Sequence, residues 1–374
     1  MNKLTKYSFS DLYSISSGIS STKEQAGHGF PFVSFSTVFN NYFLPEHLTD
    51  KMMTSNDEQN KFSILKGDIL LTRTSETIDE LAMSSVALMD YPKTTFSGFL
   101  KRLRPKDKTS GIAYHKFMAF YLRSDLFRKI ITNNASMTLR ASFNKTIFSF
   151  LNLYLPQYND QVKIGNLLYD IEMKIQNNNK VNEILEKQIH SVYMHYFVRK
   201  KSNGRLSDIL IENQKSKIYV NDVEELPGDY PFFTSGSSIL ECNDYLVDNR
   251  NIYLNTGGNA DIKFYVGKTA YSTDTWCISA KYDLEDYLFL LLKTIKNELN
   301  IKYFQGTGLK HLQKDLLKNR KIYIPNESEA KLFNQQAKPI MENISMNTQE
   351  NKKLSKLREW LLPLFMNGQA TVSE

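Results

Sequence analysis

One long stretch of the chain repeats apolar residues at alternating steps of three and four, and a second long stretch keeps a comparable stripe. In the first, Ile164, Leu168, Ile171 and Ile175 are followed by Leu185, Ile189, Val192 and Tyr196. In the second, Phe333, Ile340, Ile344, Leu354, Leu361 and Phe365 lie on a comparable stripe. This spacing gathers the apolar side chains on one helical face. It predicts two helices of about 38 residues, each roughly 57 Å long. Each follows a proline, Pro156 or Pro325, and opens on cap-forming and acidic residues: Asn159-Asp160-Gln161 in one, Asn326-Glu327-Ser328-Glu329 in the other. Pro339 should kink the second, and Pro363 sits near its end.

Asparagines interrupt both stripes at the middle: Asn178 and Asn182 in the first, Asn347 and Asn351 in the second. Each helix could pack on the core of its own domain. Alternatively the two could pack on each other as an antiparallel coiled coil, with the asparagines fixing register at some cost in stability. The matched polar breaks favour the pair. Its seam would be Ile164, Leu168, Ile171, Ile175, Leu185 and Ile189 against Ile340, Ile344, Leu354 and Leu361.

The repeat extends upstream of the helices. "MTLRASFNKTIFSFLNLYLP" (137–156) aligns with "GTGLKHLQKDLLKNRKIYIP" (306–325), a polar turn leading to a short strand and proline. "GFPFVS" (29–34) resembles "DYPFFT" (229–234), and "GDILLTR" (67–73) resembles "RNIYLNTGG" (250–258). "HKFMAFYLRS" (115–124) resembles "DYLFLLLKTI" (286–295), an apolar helix before each basic turn. Short β-patterned runs mixed with one or two helices make each globular unit α+β. The domains read as 1–157, a long helix over 158–201, a second unit over 202–325 and a C-terminal long helix over 326–374, joined by the polar link "RKKSNGR" (199–205).

Composition narrows the function classes. The 374 residues suffice for two or three domains, and the net charge of +7 favours a polyanionic partner. Two lone cysteines, Cys242 and Cys277, indicate neither a disulfide framework nor a zinc site and fit a reducing cytoplasm. The most apolar run, 287–292, is too short to span a bilayer. "GTGLK" lacks P-loop spacing; H-E-x-x-H, G-x-S-x-G and a G-x-G-x-x-G after a strand are absent, as is an Asn/Asp-Pro-Pro-aromatic methyltransferase tetrapeptide. Two loops are left. "NTGGNAD" (255–261) could offer backbone N–H groups to phosphate or simply be a turn. "YSTDTWC" (271–277) sets short polar side chains in a row before Trp276, able to read base edges or to form a solvated turn.

"TGG" (256–258), "STDTWCI" (272–278), "GTGLKHLQK" (306–314) and "IYIP" (322–325), in this order before a long helix, resemble a target recognition domain of the specificity subunits of type I restriction–modification enzymes. "GDILLTR", "MTLRASFNK" and "LYLP" resemble a divergent first copy, in which "TGG" and "TDTW" are missing. The resemblance implies a non-catalytic reader of double-stranded DNA. Each domain would read one half of an interrupted, asymmetric target, and the helices would hold the domains apart and set the unread spacer. It also implies docking of two methyltransferase subunits, which supply S-adenosylmethionine and methylate adenine. Restriction subunits using ATP and Mg would join them, with no cofactor or metal on this chain. A pseudo-twofold protein suits two half-sites about one helical turn apart.

On this reading Lys310, Lys314, Arg140 and Lys145 face phosphates. Thr256, Thr273, Asp274 and His311 in the second unit, with Arg73 and Ser142 in the first, lie on the DNA-reading side. The alternatives are a methyltransferase-binding scaffold with decayed readout and a DNA-modifying enzyme whose site escapes motif search.

Overall fold

The computed structural model describes residues 4–20, 22–75, 81–134, 141–224 and 228–372. The chain divides into two compact units, Met1–Ile175 with Lys352–Glu374, and Gln176–Asn351. Arg140 lies outside the described residues.

The first unit contains the strands β1 (Thr5–Ser8), β2 (Tyr13–Ser17), β3 (Ala26–Val33), β4 (Lys51–Met52), β5 (Ile69–Thr72), β6 (Thr74–Ser75), β7 (Ser84–Val86), β8 (Thr95–Phe96), β9 (Leu100–Pro105), β10 (Ala141–Ser142) and β11 (Asn152–Leu155). They assemble as a four-stranded sheet β2-β9-β5-β7, a three-stranded sheet β4-β3-β8, and the pairs β1-β11 and β10-β6. The second unit contains β12 (Gly204–Arg205), β13 (Leu210–Glu212), β14 (Tyr230–Phe233), β15 (Ile239–Cys242), β16 (Arg250–Asn255), β17 (Ile262–Val266), β18 (Ala270–Tyr271), β19 (Thr275–Ala280), β20 (Phe304–Gln305), β21 (His311–Leu312) and β22 (Lys321–Ile322). Its sheets are β13-β19-β16-β17 and β15-β14-β18, with the pairs β12-β22 and β20-β21. Strand for strand, both main sheets and the pair that closes each unit have the same order. In both units the one parallel contact inside the three-stranded sheet joins corresponding strands, β3 to β8 and β14 to β18. The α+β repeat read from sequence is therefore a repeat of topology.

The central strands carry apolar residues on both faces, so each is buried on two sides. In the second unit Ile252, Leu254, Trp276 and Ile278 face a core with Leu288 and Leu292 of the helix Glu285–Thr294. The alternate residues Tyr253 and Cys277 face Phe233, Tyr265 and Tyr271, and Phe233 stacks on Tyr253 with ring centroids 4.0 Å apart. In the first unit Ile69, Leu71 and Leu103 share a core with Phe117 and Phe120 of the helix His115–Tyr121, while Leu70 and Leu100 pack with Val33 and Phe96.

The two long helices run over Tyr158–Phe197 and Glu327–Met366, the second continuing through Pro339 and Pro363. Each contributes residues to both units. Both packing modes foreseen from the sequence occur, in different places. Toward the ends the apolar stripe enters a domain core. Ile164 and Leu168 are buried with Phe365 and Met366, and Ile189 and Phe197 with Phe333 and Met341. Near the middle the helices meet each other through polar groups. Asn178 Nδ2 donates to Asn351 Oδ1 at 2.9 Å and to Glu350 Oε2 at 2.7 Å. Asn347 Nδ2 donates to Asn182 Oδ1 at 2.8 Å. In the first unit Arg358 pairs with Glu172. Residue numbers rise on one helix as they fall on the other, so the pair is antiparallel. Ile171 is buried. Ile175, Leu185, Ile340, Ile344, Leu354 and Leu361 are half-buried.

Candidate nucleic-acid interface

In the second unit three loops from distant parts of the sequence converge. The first leaves β16 at Asn255 and runs through Thr256, Gly257 and Gly258. The second is the turn 272–274 between β18 and β19. The third is the hairpin tip 306–310 between β20 and β21. Thr256 is the hub: its N–H and Oγ1 both donate to the Asp274 carbonyl at 3.1 and 3.0 Å, and its carbonyl accepts from Leu312 N at 2.9 Å. Gly258 N donates to Lys310 O at 2.8 Å.

Glycine is needed at the hairpin tip. Gly306 has φ +150° and its missing Cβ would lie 2.6 Å from Leu309 O, a backbone contact that no side chain could tolerate. Asn255 holds the first loop from beneath and is only 5% exposed. Its Nδ2 donates to Gly257 O (2.6 Å) and Asn259 O (2.5 Å), and its Oδ1 accepts from Asp261 N (2.7 Å). Asn255→Ala leaves those backbone groups without their partner and should cost about 1–3 kcal/mol. Urea unfolding of the variant measures this. A cost near zero would mean that the loop keeps its shape without Asn255.

Of the polar row 272–275, Ser272 and Thr275 turn inward: their hydroxyls bond each other at 2.9 Å, and Thr275 also donates to Phe233 O. Trp276 is a core residue whose Nε1 donates to Glu212 at 2.8 Å. What faces outward is Asp274, Lys310 and His311, with Thr273 half-buried beside them. Lys314 is half-buried with its ammonium over the Trp276 ring at 5.0 Å, and this burial holds its pKa below the usual lysine range. Lys318 pairs with Glu212 and is held above that range.

The first unit builds the same frame from different residues. Arg73 N donates to Phe99 O at 2.8 Å, as Thr256 N does to Asp274 O. Phe143 N donates to Arg73 O at 2.7 Å, as Leu312 N does to Thr256 O. Ser97 N bonds Val33 O and Gly98 N bonds Ile19 O, matching Ser272 N to Phe233 O and Thr273 N to Ile218 O. From sequence the "TDTW" element is missing in the first half. The structure places Gly98-Phe99-Leu100-Lys101 there, with other side chains, and Arg73 stands where Thr256 stands. Ser142 belongs to β10, whose pairing with Thr74 mirrors the bridge between His311 and Gly257. Lys145 is exposed in the first turn of the short helix Lys145–Phe150, capped by Asn144. Motif search misses Phe99 and Lys101. The only signal for them is the run "TFSGFLK" (95–101) standing where "AYSTDTW" (270–276) stands in the second copy.

The shared frame defines two versions of one recognition module in a single chain. The chain belongs to the family of type I restriction modification DNA specificity domains, whose model matches residues 2–187 and 199–358. It is thus a type I specificity subunit with two recognition domains, a class that recognises DNA and has no active site of its own. It is 24% identical over 356 residues to the type I restriction enzyme MjaIX specificity subunit of Methanocaldococcus jannaschii, covering 83% of this chain and 79% of that one. The EcoDI specificity subunit of Escherichia coli is 24% identical over 170 residues, 43% of this chain and 37% of that one. The crystal structure of the type I restriction–modification system S subunit from M. genitalium shares the fold, with a TM-score of 0.67 at 14% identity over 97% of this chain and 96% of that one. Among the described residues no helix is long and apolar enough to cross a membrane.

Proposed function

We propose that this chain reads a bipartite, asymmetric DNA target, one half-site per unit, and presents it to methyltransferase subunits that methylate adenine. The observation that carries this is the duplicated three-loop frame furnished with different outward side chains. Matching backbone bonds give both units one way of approaching a duplex, and different side chains give them different sequences to read. Two methyltransferase subunits would supply S-adenosylmethionine. Restriction subunits, with ATP and Mg, would cleave DNA that lacks the mark, in the cytoplasm where that DNA lies. Mapping methylated adenines in cells that express type I methyltransferase subunits with and without this chain tests the proposal. One interrupted motif that appears only with the chain is expected. Methylation without sequence preference would instead favour a scaffold that has lost its readout.

Phosphate contacts and base contacts separate by salt. Lys310 is exposed at the hairpin tip, whereas Lys314 is covered by Trp276. Lys310→Ala should weaken binding to all sequences alike and lower the slope of log affinity against log salt by about one. Titration of a labelled duplex at several salt concentrations reads this, and an unchanged slope would remove Lys310 from the phosphate-facing set.

A further inference from the structure

We infer that Phe99 is a specificity-determining residue of the first unit, meeting the 5-methyl edge of a thymine where Asp274 of the second unit accepts from a base amino group. The inference rests on the DNA-reading function proposed above and deepens it.

Phe99 is 63% exposed although its neighbours Phe96 and Leu100 are fully buried. The core therefore does not use it. Nor does it sit on a loose loop. Ile19 N bonds Phe96 O at 2.9 Å, Ser97 N bonds Val33 O at 3.0 Å, and Gly98 N bonds Ile19 O at 2.7 Å. Leu100 N bonds Ser97 O at 2.9 Å, and Arg73 N takes the Phe99 carbonyl at 2.8 Å. Phe99 N itself donates to Ser97 Oγ at 3.2 Å. Gly18 lets the neighbouring segment press against this turn, since a Cβ there would lie 2.2 Å from Ser97 O. An aromatic ring on a turn pinned in this way loses little conformational freedom on contact, which is what a rigid anchor requires.

The surroundings select a nucleic-acid partner. Arg73 is exposed at the same turn, its Nη1 3.5 Å from Gly98 O. Lys101, on the strand that follows, donates to Ser17 Oγ at 2.7 Å. Its pKa is lowered by burial and then by the Arg73 charge, so the two cations share one neighbourhood. An exposed ring on a turn whose backbone is held by one of two neighbouring cations suits an apolar feature embedded in a polyanion. In a duplex groove that feature is the thymine methyl group, which phenylalanine contacts. Asp274 occupies the same backbone position in the second unit, and a carboxylate accepts from cytosine N4. The two half-sites should therefore differ at this position in chemistry as well as in sequence.

Deoxyuridine provides the test, because it differs from thymidine only by the missing methyl. The full-length chain, assembled with type I methyltransferase subunits, is titrated with its mapped target carrying deoxyuridine at one thymine at a time. One replacement is expected to weaken the wild-type complex about fourfold, the worth of one buried methyl group. The same replacement should leave Phe99→Ala unaffected. Phe99→Leu, which keeps an apolar tip, should retain part of the effect. Thermal unfolding of both variants should match wild type, since the core does not use the ring. The inference is overturned if no thymine replacement separates wild type from Phe99→Ala, or if Phe99→Ala weakens every duplex equally. A wild-type complex with no sequence preference at all would instead sink the DNA-reading function, and this inference with it.

Discussion

Arg250→Met is expected to destabilise the second unit by about 3–5 kcal/mol at pH 8 and by much less at pH 5. Asp286 is 2% exposed, and Arg250 Nη1 reaches both of its oxygens, at 2.7 and 2.8 Å. Arg250 Nη2 also holds Glu342 of the C-terminal helix at 2.5 Å. One guanidinium thus ties the first residue of β16 to the helix Glu285–Thr294 and to Glu327–Met366. Burial pushes the Asp286 carboxyl up from its ordinary 3.8 to about 6, with Glu285 adding to the rise and Arg250 and Lys338 opposing it. An acid whose pKa is higher in the folded chain binds its proton more tightly there. Its contribution to stability is full below about pH 4 and is lost as pH rises through 6. Without the guanidinium the carboxyl pKa rises further, so in the variant the loss continues above pH 6. At pH 5 both proteins hold Asp286 largely protonated, and the penalty shrinks to the packing and Glu342 contacts. Urea unfolding at the two pH values measures the difference. A penalty independent of pH would mean that Asp286 is not what Arg250 neutralises.

Lengthening both long helices by four residues should change the DNA target outright. The insertions go between Asn178 and Asn182 and between Asn347 and Asn351, so that the paired asparagines stay in register. Four helical residues add about 6 Å, close to two base pairs of duplex. If the helix pair sets the unread spacer, both half-sites persist and the spacer grows by about two base pairs. Affinity for the original spacing should fall more than about a hundredfold, because only one half-site can then be engaged. Adenine methylation mapping reports both quantities. Altered half-sites with an unchanged spacer would refute the ruler. Inserting into one helix alone leaves at most one of the pairs Asn178–Asn351 and Asn182–Asn347 in register, so it should cost stability without giving a clean new target.

Much of the molecule is legible in the residue pattern. The stripe at Ile164, Leu168 and Ile171 and the prolines at 156 and 325 place both long helices, because helix formation depends on residues three and four apart. The alignment of 137–156 with 306–325 reveals the duplication, since both copies retain the turn, strand and proline that end a unit. "GDILLTR" and "RNIYLNTGG" are corresponding strands because both are buried on two faces, and burial constrains hydrophobicity whatever else changes.

Other features lie beyond local pattern. Phe99 and Asp274 share no chemistry, so no alignment of side chains would pair them. They correspond because Arg73 N and Thr256 N make the same bond to their carbonyls. Backbone hydrogen bonds carry no side-chain signature and leave the outward positions free to differ. Likewise Lys314 looks equivalent to Lys310 in a basic cluster, but Trp276, 38 positions earlier, covers one and leaves the other exposed. The duplication, the long helices and the class of protein are thus written in the order of the residues, because periodicity and burial leave a local trace. Which loop residues come together beside Thr256, and which lysines are covered, is settled by folding alone, because those contacts join segments whose positions no local pattern specifies.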